Sequence, residues 1–94
     1  MATISEKKQD EIIDAMVKYL PMLRDKVGIS QEALSRLVGI SRQTYVSIES
    51  GKKKMSWKTY LALLFFFSYN KKTSNFILEK EIFPSDFVDI INSN

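Results

Sequence analysis

The chain has 94 residues, 45% of them hydrophobic and 27% charged, a globular composition sized for one small domain. It has no cysteine and no histidine, which removes disulfides, thiol nucleophiles, imidazole bases and zinc-finger chemistry together. The net charge of +3 is unevenly spread: residues 1–41 balance, residues 42–72 carry seven basic side chains against Glu49 alone, and residues 73–94 carry Lys80 against four acids. A local basic excess of this kind suits a polyanionic partner, although a solvated basic face has the same composition. The start, Met1-Ala2-Thr3-Ile4-Ser5-Glu6, lacks a basic stretch followed by a long apolar run, so no secretory signal is expected. The most apolar stretch, Tyr60 to Phe67, is too short to span a bilayer. The expectation is therefore a cytoplasmic chain without a membrane partner, and residues 1–94 are expected to form a single domain.

The pattern is helical from end to end. Thr3 and Glu6 have capping-box spacing, and Ser5 is an alternative cap. Ile12, Ile13, Met16, Val17, Leu20, Leu23 and Val27 then recur on one helical face. Pro21 lies inside that run and has no N–H to give the Val17 carbonyl, which predicts either a kink or a new helix starting nearby. Gly28 is placed to end the segment.

Ser30 caps a second predicted helix, Gln31 to Val38, with Leu34, Leu37 and Val38 as its apolar stripe. Gly39 stops it and Ile40 bridges to Ser41, which caps a third helix, Arg42 to Ser50, with Tyr45 and Ile48 inward. Gly51 ends the third helix, and Lys52-Lys53-Lys54 forms a basic loop. Ser56 caps a fourth helix, Trp57 to about Tyr69, apolar nearly all round and so in need of cover on more than one side. A short helix from about Thr73 to Lys80 follows, and Pro84 with Ser85 marks another start, with Phe87, Val88, Ile90 and Ile91 on its apolar face.

The informative stretch is 31–50. Two short helices joined by a three-residue turn containing glycine have helix-turn-helix spacing. Ser35 supplies the small residue where the helices cross, and Gly39 supplies the left-handed turn position. Leu34, Val38, Ile40, Tyr45 and Ile48 fall where the pair must pack on its scaffold. Capping, turn and burial signals agree in one register. Arg42's guanidinium can give two hydrogen bonds to guanine, and the Gln43 amide can pair with adenine.

These residues carry a resemblance. Leu23-Arg24, Gly28-Ile29-Ser30-Gln31-Glu32-Ala33-Leu34, Gly39-Ile40-Ser41-Arg42-Gln43-Thr44 and Ile48-Glu49-Ser50-Gly51-Lys52 look like the phage repressor and Cro type of helix-turn-helix domain, also called XRE-like. The resemblance covers roughly Leu20 to Phe67 and implies an all-α, lambda-repressor-like compact bundle of about five helices whose third helix enters the DNA major groove. It implies that Gln31 touches phosphate, that Arg42 and Gln43 face base edges, that Thr44 reaches phosphate or a base, and that Ser47 faces the groove. Lys52, Lys53 and Lys54 would meet the backbone beyond. It also implies an Arg24–Glu49 ion pair tying the first helix to the third. The sequence departs from the family at Tyr45, usually aliphatic, whose ring should pack inward with its hydroxyl reaching an edge or a phosphate. It departs at Val46, usually polar, which should point outward toward a thymine methyl, and at Ser47, which is short.

On this reading residues 1–19 are an N-terminal helical extension, 20–69 the DNA-binding core and 70–94 a C-terminal helical tail. The implied function is a sequence-specific transcriptional regulator, a repressor, bound to double-stranded DNA as a homodimer. The competing reading is a protein-interaction module, antitoxin-like or cofactor-like, whose partner docks on residues 57–67 and 76–91. No enzyme, metal or cofactor is expected: Asp10, Glu11 and Asp14 are a conceivable acid-base or metal set, but no His, Cys or glycine-rich loop accompanies them, and a solvated helix face explains them.

Overall fold

The computed structural model describes residues 4–80, 82, 89 and 91–93. It is a compact all-α bundle of five helices: α1 (Glu6–Val27), α2 (Gln31–Val38), α3 (Arg42–Glu49), α4 (Trp57–Tyr69) and α5 (Ser74–Glu79). The segment from Pro84 onward that the sequence marks as a further helix falls largely outside the described residues, as does Thr3.

Helix α1 starts at Ser5, whose hydroxyl accepts the Lys8 N–H, and buries Ile12, Ile13, Met16, Leu20 and Leu23 on one face. It passes through Pro21 unbroken, so no new helix starts there. Pro21 itself is exposed, on the solvent side of the helix. Ile12, Ile13 and Met16, which the sequence assigned to an extension, are part of the core itself. Gly28 closes the helix at φ 78°, a left-handed position that costs a glycine little, and both Gly28 and Ile29 N–H groups donate to the Arg24 carbonyl.

The next three helices repeat one device. Ser30, Ser41 and Ser56 each sit in extended backbone and accept the N–H three residues on, from Ala33, Thr44 and Thr59. Each such cap contributes about 1 kcal/mol and fixes where the helix begins. Between α2 and α3, Gly39 takes φ 78° and the Ile40 N–H returns to the Ser35 carbonyl at 3.0 Å, so the turn is three residues long and rigid. Ser35 is buried at the crossing and gives its hydroxyl to the Glu32 carbonyl at 2.7 Å.

One predicted apolar position behaves differently. Leu34 is buried and Val38 half-buried, but Leu37 is 62% exposed. An eight-residue helix packed on α3 and α4 turns only a narrow strip inward, and Leu37 lies outside it. Helix α3 ends one residue earlier than its pattern suggested, with Ser50 as its cap.

Helix α4 buries Thr59, Tyr60, Leu63, Leu64 and Phe67 against α1, α2 and α5. Its far side is not covered as an all-round apolar helix would require: Leu61, Phe65 and Tyr69 remain 37%, 66% and 78% exposed. Helix α5 is held by Thr73, buried, whose hydroxyl donates to the Phe67 carbonyl at 2.6 Å. It is also held by Phe76, which meets Tyr19 of α1 edge-on at 5.3 Å between ring centres. Beyond it, the buried Tyr60 hydroxyl donates to the Ile82 carbonyl at 2.6 Å.

Candidate nucleic-acid interface

The arrangement is built around α3. Burial of Tyr45 and Ile48 on its inner side turns Arg42, Gln43 and Val46 outward, where the three line one shallow surface depression. Val46 is 38% exposed there. The same Ser41 cap that starts the helix also donates its hydroxyl to Thr44 Oγ1 at 2.9 Å, so Thr44 belongs to the cap and is half-buried. Helix α3 thus presents a guanidinium, an amide and an isopropyl group from its first turn and a half.

The basic loop is anchored from within that helix. The Ser47 carbonyl accepts the Lys52 and Lys53 N–H groups at 2.9 and 3.1 Å and the Ser50 hydroxyl at 3.1 Å. Ser47 itself is half-buried, so its backbone organises the loop more than its side chain faces outward. Gly51, at φ 84°, makes the reversal possible. The side chains of Lys52 and Lys53 are exposed beside the α3 surface. Lys54 is committed elsewhere: its ammonium pairs with Asp10 of α1. The hydrogen bond to Asp10 raises the Lys54 pKa, with Glu6 and Asp14 of the same helix face adding to it against some desolvation. Among the described residues no group of three or more acidic side chains converges as a metal site, and Asp10 serves instead as this cation's partner.

The orientation of α3 is set at its other end. Arg24 Nε donates to Glu49 Oε2 at 3.0 Å and Arg24 Nη2 to Glu49 Oε1 at 2.8 Å, a two-bond fork between α1 and the last residue of α3. Arg24 Nη1 also donates to the Ile29 carbonyl at 3.2 Å, which ties the α1–α2 turn to the same group. The side chains are 20% and 9% exposed, so the pair is largely screened from water. Burial pushes the Glu49 pKa up, but the hydrogen bonds and positive charge of Arg24, with Gln31 nearby, outweigh it and hold the carboxyl below its ordinary value. Gln31, at the start of α2, is therefore placed beside Glu49 as well as at a helix N-terminus.

Tyr45 departs from its expected role. Its ring is fully buried, but its hydroxyl reaches neither an edge nor the outside: Oη is enclosed next to the Arg24–Glu49 pair with no group in hydrogen-bonding geometry. Burial, reinforced by the neighbouring Glu49 carboxylate, pushes its pKa up. The reason is local: Tyr45 and Glu49 lie one turn apart on α3, so the inward ring carries its oxygen along the same helix face to the ion pair. The i, i+4 spacing of Tyr45 and Glu49 is a local signal for this, whereas the Asp10–Lys54 contact joins residues far apart in the chain and has none.

No helix among the described residues is long and apolar enough to cross a membrane. The helix-turn-helix family model matches residues 22–61, the span from the second half of α1 into α4. Comparison with curated proteins gives no match, and comparison with solved structures gives none either. The chain carries a helix-turn-helix domain, consistent with a DNA-binding regulatory protein.

Proposed function

We propose that this chain is a sequence-specific transcriptional regulator of the phage repressor and Cro type, working in the cytoplasm as a repressor and binding double-stranded DNA as a homodimer. The observation that carries the reading is the exposed Arg42–Gln43–Val46 face at the capped start of α3, held rigidly by the buried fork at its far end. A helix N-terminus in the major groove brings such side chains to base edges, and its free N–H groups favour phosphate. In this account Arg42 reads guanine, Gln43 reads adenine, and Val46 touches a thymine methyl. Gln31, Thr44, Lys52 and Lys53 engage the backbone, Ser47 borders the groove, and Lys54 joins them by leaving Asp10. The whole chain acts as one domain, with residues 20–69 as the DNA-binding core and the flanks supporting it.

A domain that reads one half-site of a few base pairs gains specificity by pairing on a two-fold site. One this small represses most simply by occupying its site. The competing reading, a module that binds another protein, is favoured only by the exposed apolar side of α4. Arg42→Ala separates the two. Loss of about 1–3 kcal/mol on the preferred duplex, with specificity relaxed at one base position, supports the DNA reading. An equal loss on random duplex would reduce Arg42 to a phosphate contact, and no change on any duplex would favour the protein-interaction module.

A further inference from the structure

On the side of α4 that faces α2 there is an open groove of about 480 Å³. Ala62, Phe65, Phe66 and Tyr69 line it from α4, and Leu37 and Val38 line it from the last turn of α2. Phe65 and Tyr69 stack at 4.8 Å between ring centres, so two exposed rings are already held in one orientation. Ala62, Phe65 and Tyr69 recur at helical spacing, and Lys58, one turn before Ala62, starts the same row. From Lys58 to Tyr69 the row is roughly 16 Å long, the length of three helical turns. Its far end runs into Asn70, which also lines the groove, and then into the exposed Lys71 and Lys72. On the α2 side Glu32 is already taken by Arg36, at 3.0 Å. An apolar row is thus bracketed by one lysine at its start and two at its end.

We propose that this groove takes an acidic amphipathic helix of another protein, about three turns long. Its apolar side packs on Leu37, Phe65 and Tyr69, and its carboxylates meet Lys58 at one end and Lys71 and Lys72 at the other. Charge selects this occupant. A second copy laid on the same row, parallel or antiparallel, sets lysine ends against lysine ends and is repelled. Duplex DNA satisfies the lysines but offers the two rings nothing apolar to pack on, and a flat bilayer does not follow a concave groove between two helices. The proposal rests on the protein-interaction reading above and gives it a partner chemistry. It does not compete with α3 for DNA, because Arg42, Gln43 and Val46 line a separate depression.

Selection from a random display library of peptides about 16 residues long, with the full chain as bait and no DNA present, is the test. Recovered peptides should carry large apolar residues at helical spacing and acidic residues toward both ends. The tightest of them, synthesised with a fluorophore, should bind at least about 10-fold more weakly to Phe65→Gln and to Leu37→Gln. Lys71→Gln with Lys72→Gln should cost roughly 3–10-fold at low salt, a loss that shrinks as salt is added. Phe65 and Leu37 both lie mostly in water, so the fold should be kept, with far-ultraviolet circular dichroism as the check. Basic or uncharged winners overturn the acidic partner, and winners indifferent to both Phe65 and Leu37 overturn the groove. No recovered peptide at all overturns the protein-interaction reading with it. Displacement of the winners by phosphatidylserine vesicles assigns the groove to a membrane surface, and sedimentation equilibrium showing that the free chain pairs through Phe65 assigns it to a second copy; either overturns the proposal. The assay contains no DNA, so each of these failures leaves the DNA reading standing.

Discussion

Arg24→Met tests what holds the recognition helix in place. The substitution keeps an unbranched apolar stem, removes the guanidinium and with it three hydrogen bonds, two to Glu49 and one to the Ile29 carbonyl. It strands a carboxylate that is 9% exposed. Breaking one side of a buried pair costs about 3–5 kcal/mol, and a fully exposed pair is worth under about 1. With Arg24 20% exposed, the cost should be about 3 kcal/mol. For a domain of this size that is a fall of roughly 15 °C in Tm. Glu49 is also the last residue of α3, where a negative charge opposes the helix dipole by about 0.3–1 kcal/mol, so Arg24 offsets that cost too. The second substitution should therefore rescue: Arg24→Met with Glu49→Met should lie at least about 1 kcal/mol above Arg24→Met alone. Urea denaturation followed by circular dichroism across the double-mutant cycle gives the coupling.

The pH dependence supplies a second sign. In the wild type Glu49 titrates below its ordinary value of 4.5, so its contribution is complete above that pH and is lost as pH falls through the lowered value. In Arg24→Met the upward push of burial loses its main opposition, the carboxyl titrates higher than in the unfolded chain, and acidification restores stability. Strict additivity in the cycle, or the same acid response in both proteins, would refute the reasoning.

Three further outcomes follow from individual contacts. Tyr45→Phe removes a buried hydroxyl that has no hydrogen-bond partner, so it should stabilise the fold by about 1 kcal/mol; a loss of that size in the same denaturation assay would mean the hydroxyl donates to Glu49. Gly39→Ala places a methyl where nothing lies within 4 Å, so only the left-handed backbone at φ 78° resists it, and thermal melting should register about 1 kcal/mol of destabilisation; no loss would show that the turn relaxes. Lys53→Ala should lower the salt slope of duplex binding by about 1, and Asp10→Asn, by freeing Lys54, should steepen it by about as much; an unchanged slope would remove that lysine from the contacts.

Much of the fold is legible because its instructions are local. Ser30, Ser41 and Ser56 each satisfy donors within their own first turn, and Gly39 supplies its own backbone geometry, so helix starts and the turn follow from a few neighbouring residues. What the sequence does not carry is set by partners distant in the chain. Leu37 has the right period to be buried and is not, because the reach of α2's inner face depends on how α3 and α4 meet it. Lys54 reads as part of a basic run until α1 brings Asp10 against it. Tyr45 reads as an inward ring, but the enclosure of its oxygen depends on Arg24, which α1 brings against Glu49. Pro21 reads as a kink or a new helix start, yet on the exposed side of a helix already anchored by five buried residues its missing hydrogen bond does not start a new one.

The measurement that bears most directly on the account is selection of bound sequences from a random duplex library by the full chain, run at two salt concentrations. The account predicts a recovered two-fold motif that survives the higher salt, with positions assignable to Arg42, Gln43 and Val46. Binding that vanishes with salt and yields no motif would contradict it, leaving the basic loop as a general polyanion surface and α3 without a reading role.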